Sequence, residues 1–144
     1  MKAKDKTYSI FPLLFVLLLC VSACATAEKN ATAPGGNKAY TQISQDVAKD
    51  MILKDNRLVI VDVRTKAEYE GGHIPGAVLI PNESITDKKP ELLPDMNQVI
   101  LVYCRSGNRS KQAAQKLANM GYKKVYEFGG INTWNGKIVK ITLM

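Results

Sequence analysis

VILVYCRSGNRSKQAAQKLANMG, residues 99–121, passes from one periodicity to another within a short stretch. VILVYC is a continuous apolar run rich in β-branched residues, the pattern of a strand buried on both faces. From Asn108–Ser110 onward Ala114, Leu117 and Ala118 fall on one side of a helical repeat, and Gly121 supplies a C-cap. Only Arg105, Ser106 and Gly107 separate the cysteine that ends the strand from the helix. A buried strand turning tightly into a helix belongs to a parallel sheet, whose neighbouring strands need crossover connections.

The flanking sequence repeats the theme. LVIVDV (58–63) is a second buried strand, and AVLI (77–80) and KVYEF (124–128) are shorter ones. Ser44 caps a helix over QDVAKDMILK, with Val47, Met51 and Ile52 near helical spacing. TKAEYEGG (65–72) is helical, and a weaker helical stretch runs near Asp87 to Leu93. Strands alternating with helices indicate an α/β domain over residues 39–144, a central mainly parallel sheet flanked by helices with right-handed crossovers. Ligands of such sheets bind beyond the carboxyl ends of the strands. Asp62-Val63-Arg64 and Cys104 are the polar positions at those ends.

Upstream of the domain, MKAKDKTYS is short and basic, IFPLLFVLLLCVSA is apolar, and small residues follow. That is the pattern of a signal peptide over residues 1–23, too short an apolar run for a comfortable membrane span. ATAEKNATAPGGNK (25–38) is small and polar, a flexible tether spanning roughly 20 Å as a random coil. The chain carries a net charge of +7. Removing residues 1–23, which hold three of the 20 basic and one of the 13 acidic residues, leaves 17 and 12. The lysines are scattered with no aromatic interleaving, so a solvated surface favouring small anions is expected, with no nucleic-acid partner. One histidine cannot anchor a metal site here, and no GxxxxGK[ST] or GxGxxG pattern is present, so neither metal nor other cofactor is expected.

The loop after Cys104 is suited to holding an anion. A strand–loop–helix turn of this size points successive N–H groups inward as a nest, and the helix N-terminus adds partial positive charge. Gly107 can take the positive φ such a turn needs. Cysteines in these settings titrate at about 3.5–7.5, against about 8.5 when free, so a thiolate is expected. No second cysteine lies near enough for a C-x-x-C pair, and the one histidine, His73, sits in a GGHIPGA turn.

Two resemblances sharpen this. Val21-Ser22-Ala23-Cys24 resembles the lipobox of bacterial lipoprotein precursors, which implies cleavage before Cys24, lipidation of its sulfur, and an extracytoplasmic protein anchored to the membrane. Stable anchoring takes more than one acyl chain. An ordinary signal peptide or an uncleaved anchor is the alternative. With Cys20 removed and Cys24 lipidated, Cys104 is left unpaired in an oxidising compartment, where a lone thiol points to reactivity. Sequons occur at Asn30, Asn82 and Asn108; a glycan on Asn108 would block the loop, so glycosylation is not expected.

CRSGNRS (104–110) resembles the active-site loop of rhodanese-type sulfurtransferases. VDVRTKAEYEGGHIPGAVLIP (61–81), YCRSGNRS continuing to Gly121-Tyr122, and GGINTW (129–134) are similar to that family's motifs in the same order. The resemblance implies a rhodanese-like three-layer domain that moves a sulfane sulfur from a small anionic donor such as thiosulfate to a thiol or cyanide, through a persulfide on Cys104. It further implies a substrate cradle of Arg105, Ser106, Gly107, Asn108, Arg109 and Ser110. Arg109 matches the arginine closing the loop, its fork suited to a sulfonate-like oxyanion. Arg105 guides anions at the rim, and Ser106 and Ser110 either donate hydroxyls to sulfur or cap the helix, capping being favoured for Ser110. A phosphatase loop of the C-x-x-x-x-x-R type would need arginine where Ser110 stands. The remaining alternative is a sulfur carrier or thiol sensor without turnover. Asp62, Arg64, Glu68 and Glu70 read as a structural salt-bridge and capping network, His73 as a turn residue, and Trp134 as a core anchor beside Gly129-Gly130.

Overall fold

The structure, a computed structural model, describes residues 40–141. The signal peptide, Cys24 and the tether therefore lie outside the described residues. Strand β1 (Thr41–Gln42) leads into helix α1 (Gln45–Lys54), where the Ser44 hydroxyl accepts from the Val47 N–H at 3.3 Å. The α1 face differs from the expected one. Val47 is 46% exposed and the buried anchor is Ala48, with Met51 and Ile52 packed beside it. Strand β2 (Val59–Asp62) is followed by helix α2 (Lys66–Glu70), one turn long and held by a reciprocal capping box between Thr65 and Glu68. Strand β3 (Val78–Leu79) ends in a 3₁₀ turn at Asn82–Ser84. Strand β4 (Val99–Cys104), helix α3 (Asn108–Asn119) and strand β5 (Lys124–Gly130) complete the order.

The helix expected near Asp87 to Leu93 does not form. Pro90 interrupts that segment and Pro94 follows it, and a proline drives the residue before it out of the helical region. Leu93 instead anchors a turn: it is fully buried and its carbonyl accepts the Tyr122 hydroxyl at 2.6 Å.

The five strands lie in the order β1-β5-β4-β2-β3 and every neighbouring pair is parallel. β4, expected to be buried on both faces, has a core on each side. Ile100, Val102 and Cys104 face Ala113, Ala114 and Leu117 of α3. Leu101 and Tyr103 face Ala48, Ile74 and Phe128 on the side of α1. The period of two thus commits Cys104 to the α3 side, under the start of that helix.

Candidate active site

Cys104 ends β4, and its pairing with β5 slips by a residue, so that it faces Gly130. The chain then turns through Arg105, Ser106 and Gly107 into α3. Gly107 has φ +103°, the left-handed region open to glycine. No side chain caps α3. The Cys104 sulfur takes that place: it is 1% exposed and accepts the Gly107 N–H at 3.0 Å. Burial pushes the thiol up, but hydrogen bonding from Ser110 and from the Ser110, Gly107 and Ser106 N–H groups outweighs it and holds the thiol below its ordinary value. Sulfur is in effect the N-cap of α3, where a negative charge is favoured.

The end of β5 braces this cradle from below. A Cβ on Gly130 would fall on the Arg105 carbonyl and come within 2.6 Å of Ser106 Cα. Gln45 of α1 ties the same point by donating to the Gly130 carbonyl at 2.8 Å and the Thr133 hydroxyl at 2.9 Å.

The cradle residues divide. Arg105, Ser106 and Asn108 are exposed at the rim, and Gly107 and Ser110 are buried beneath. Ser110 does not cap α3, of which it is the third residue. Its hydroxyl reaches the Gly107 carbonyl at 2.9 Å and Glu127 Oε1 at 2.6 Å. The Arg109 fork pairs with α2: Nη1 and Nη2 donate to the two carboxylate oxygens of Glu68, each at 2.8 Å. A guanidinium committed in this bidentate way closes the loop onto α2.

The single acidic–basic network read from the sequence is three separate units. Asp62 and Arg64 form a buried pair, Glu68 joins Arg109 and the Thr65 cap, and Glu70 meets Lys66 on the surface at 3.6 Å. His73 donates from Nδ1 to the Tyr69 carbonyl at 2.8 Å and stacks on the Tyr69 ring, a turn residue as expected. Trp134 packs on Phe128, across the sheet from Cys104. Glu127 was missed as a site residue, because KVYEF reads simply as a strand. The signal was an acidic residue within a strand otherwise apolar enough to be buried.

The Arg109 hydrogen bonds, helped by the Thr65 N–H and hydroxyl and opposed by burial, hold the Glu68 carboxyl at about 2, against an ordinary 4.5. A carboxyl whose pKa falls on folding stabilises the native state above its unfolded pKa and loses that contribution as pH drops through its folded one. Wild-type protein is therefore expected to melt above Glu68→Gln at neutral pH. The gap should close as pH falls from about 4.5 to about 2; a gap independent of pH across thermal melts would contradict the pairing.

Fold and site together define a parallel α/β domain built around one activated thiol. Residues 44–137 match the Rhodanese-like domain family, and the chain belongs to it. It is 39% identical over 97 residues, 67% of this chain and 51% of the relative, to a Bacillus subtilis (strain 168) protein named "Putative sulfur carrier protein YrkF". It is 37% identical over 71 residues, 49% of this chain and 68% of the relative, to "Thiosulfate sulfurtransferase PspE" of Escherichia coli (strain K12). The chain thus spans about half the length of the first of these and two thirds of the second. Among solved structures, a rhodanese-like domain protein from Staphylococcus aureus superposes with TM-score 0.61 at 30% identity, covering 71% of this chain and 99% of that one. A rhodanese with anions from E. coli does so with TM-score 0.53 at 34% identity, covering 57% and 96%. Among the described residues no helix is long and apolar enough to cross a membrane, and no group of acidic, histidine and cysteine side chains is placed to hold a metal ion.

Proposed function

We propose that the protein is a sulfurtransferase that takes a sulfane sulfur from thiosulfate or a related donor and passes it to a thiophilic acceptor through Cys104. The observation that carries this reading is the buried Cys104 sulfur accepting the Gly107 N–H at 3.0 Å at the unfilled cap of α3. In the first half-reaction the thiolate attacks the outer sulfur of thiosulfate. A sulfur–sulfur bond forms at Sγ, the donor's own sulfur–sulfur bond breaks, and its electron pair leaves with sulfite. The terminal sulfur of the resulting persulfide is an anion for the same main-chain N–H groups. In the second half-reaction an acceptor thiolate or cyanide attacks that terminal sulfur, and Cys104 leaves as the thiolate. Arg105, exposed at the rim, draws the anionic donor inward. The family membership, the relative named a thiosulfate sulfurtransferase and the related rhodanese solved with anions support this reading. Ser110 in place of an arginine, and an Arg109 fork already paired, weigh against phosphate chemistry.

The test is the mass of the purified protein after thiosulfate. One added sulfur atom on Cys104, removed by cyanide with catalytic release of thiocyanate, supports the transferase. The relative named a sulfur carrier favours a second reading, a carrier without turnover; it predicts one sulfur loaded and released once, with no sustained thiocyanate. No added sulfur on a folded protein refutes both.

The same proposal places the domain outside the cytoplasm, tethered through lipidated Cys24. Cells fed a tagged palmitate analogue are expected to label the wild-type chain in the membrane fraction. Cys24→Ala should lose label and anchor together; label retained by that variant would refute the lipobox reading.

A further inference from the structure

The pairing of β4 with β5 is in step at Val102–Glu127 and again at Cys104–Gly130. Between those points Phe128 and Gly129 of β5 stand opposite Tyr103 alone, a bulge of one residue. A bulge takes a main-chain group out of the ladder. Here the Gly129 N–H goes to the Glu127 side chain, whose Oε1 accepts it at 2.8 Å. The same oxygen lies 2.6 Å from the Ser110 hydroxyl in the first turn of α3, and Oε2 accepts Gln42 Nε2 of β1 at 3.0 Å. Gly107 rests on this arrangement. The place its missing Cβ would take is 3.7 Å from Gly129 Cα and 3.9 Å from Glu127 Oε1, and its carbonyl is 2.9 Å from Ser110 Oγ. One carboxylate thus joins the edge strand, the bulge and the start of the helix above the sulfur.

Glu127 is 2% exposed, and none of the described ion pairs includes it. A buried carboxylate held by neutral donors alone is costlier than an apolar side chain of similar size, so packing does not account for it. We propose that Glu127 is a positioning residue for sulfur transfer: it locks the β5 bulge to the first turn of α3 and so fixes the cradle amides over the Cys104 sulfur. The bulge is what brings Gly130 opposite Cys104, close under Arg105 and Ser106. The Gly107 N–H, 3.0 Å from Sγ, is the donor that a loosened floor would withdraw. The nearby titratable groups are Arg109 of α3, which feels the Cys104 charge and is paired with Glu68 of α2, and Tyr40 before β1, pushed up by burial and by Glu127. Substitution at position 127 leaves Arg109 and Glu68 in place, so a change in thiol acidity reads the cradle.

The inference rests on the sulfurtransferase reading for its purpose, but not for its test. That test is the pH dependence of alkylation by iodoacetamide in the full chain, read at Cys104 by peptide mass. Glu127→Leu removes both acceptor oxygens. It is expected to raise the midpoint by about one pH unit, the worth of one hydrogen bond to a charged group, and to slow alkylation below it about tenfold. Glu127→Gln keeps an oxygen for Gly129 and Ser110, and its NH₂ finds an acceptor once the Gln42 amide turns over, so it should recover most of the shift. A folded Glu127→Leu with the wild-type midpoint, or a Glu127→Gln as impaired as Glu127→Leu, overturns the proposal. Should Glu127→Leu fail to fold, Gln42→Ala on the exposed edge strand decides. By freeing one carboxylate oxygen it should raise the midpoint by a smaller amount, and an unmoved midpoint overturns the proposal. A wild type that never loads sulfur refutes the transferase while leaving the alkylation result readable.

Discussion

Gly130→Ala is expected to cost about 10²-fold in sulfur transfer, the penalty typical of displacing a reacting group by an ångström. The reason is space, not backbone conformation. Gly130 is extended, with φ −123° and ψ 148°, which any residue adopts. A Cβ there would meet the Arg105 carbonyl and Ser106 Cα, both backbone, with no flexible side chain to give way. The loop must lift off β5, taking the Gly107 N–H away from sulfur. Gly76→Ala is the matched control. Gly76 has φ +79° and open space around its Cβ position, so the variant bears only the cost of left-handed backbone, about 1–2 kcal/mol, with activity retained. Melting temperature, thiocyanate production and the alkylation midpoint of Cys104 should be measured for both. Full activity in Gly130→Ala would mean that the loop is not braced by β5.

What was legible in the sequence followed from how long and how uniform each signal was. The six apolar residues of β4 announce a strand buried on both faces, and Cys104 inherits its depth and its side of the sheet from that run alone. β1, two residues long, carries no period to detect; it exists because its backbone pairs with Tyr126 and Glu127. The Asp87–Leu93 segment misled because its composition suits a helix while Pro90 within it and Pro94 just after it forbid one. At the site, Cys104 and the glycine of its loop could be read because their chemistry is local. The partners of Arg109 and Ser110 could not: Glu68 lies 41 residues away and Glu127 lies 17 away, contacts that the crossovers create. An arginine free to bind an oxyanion and one clamped by a carboxylate look alike until the fold brings α2 beside α3.

Asp62→Ala is expected to destabilise the domain by about 3–5 kcal/mol, the cost of leaving a buried partner charge unpaired. Asp62 is fully buried. Its Oδ1 accepts the Arg64 N–H and Nε, both at 3.0 Å, and its Oδ2 accepts Arg64 Nη2 at 2.7 Å and the Tyr103 hydroxyl at 2.6 Å. Arg64 also donates to the Gly72 carbonyl at 2.7 Å, and the Tyr103 hydroxyl accepts the Ile74 N–H at 3.2 Å. One carboxylate therefore joins β2 and β4 to the turn that carries His73. Burial pulls Arg64 down and its hydrogen bonds with Asp62 raise it further; a guanidinium is not deprotonated in a protein, so it stays charged when its partner is removed. The stranded charge, not the lost attraction, supplies most of the penalty, because desolvation offsets much of what the intact pair gains. That distinction is measurable by chemical denaturation. The double variant Asp62→Ala/Arg64→Leu should recover part of the loss and be more stable than Asp62→Ala. If the two substitutions instead add, the pair is a net source of stability and the desolvation argument fails at this site. Cys104 lies on the opposite face of β4 from Tyr103. The double variant should therefore keep the alkylation profile of the wild type while regaining stability, separating what holds the sheet together from what activates the sulfur.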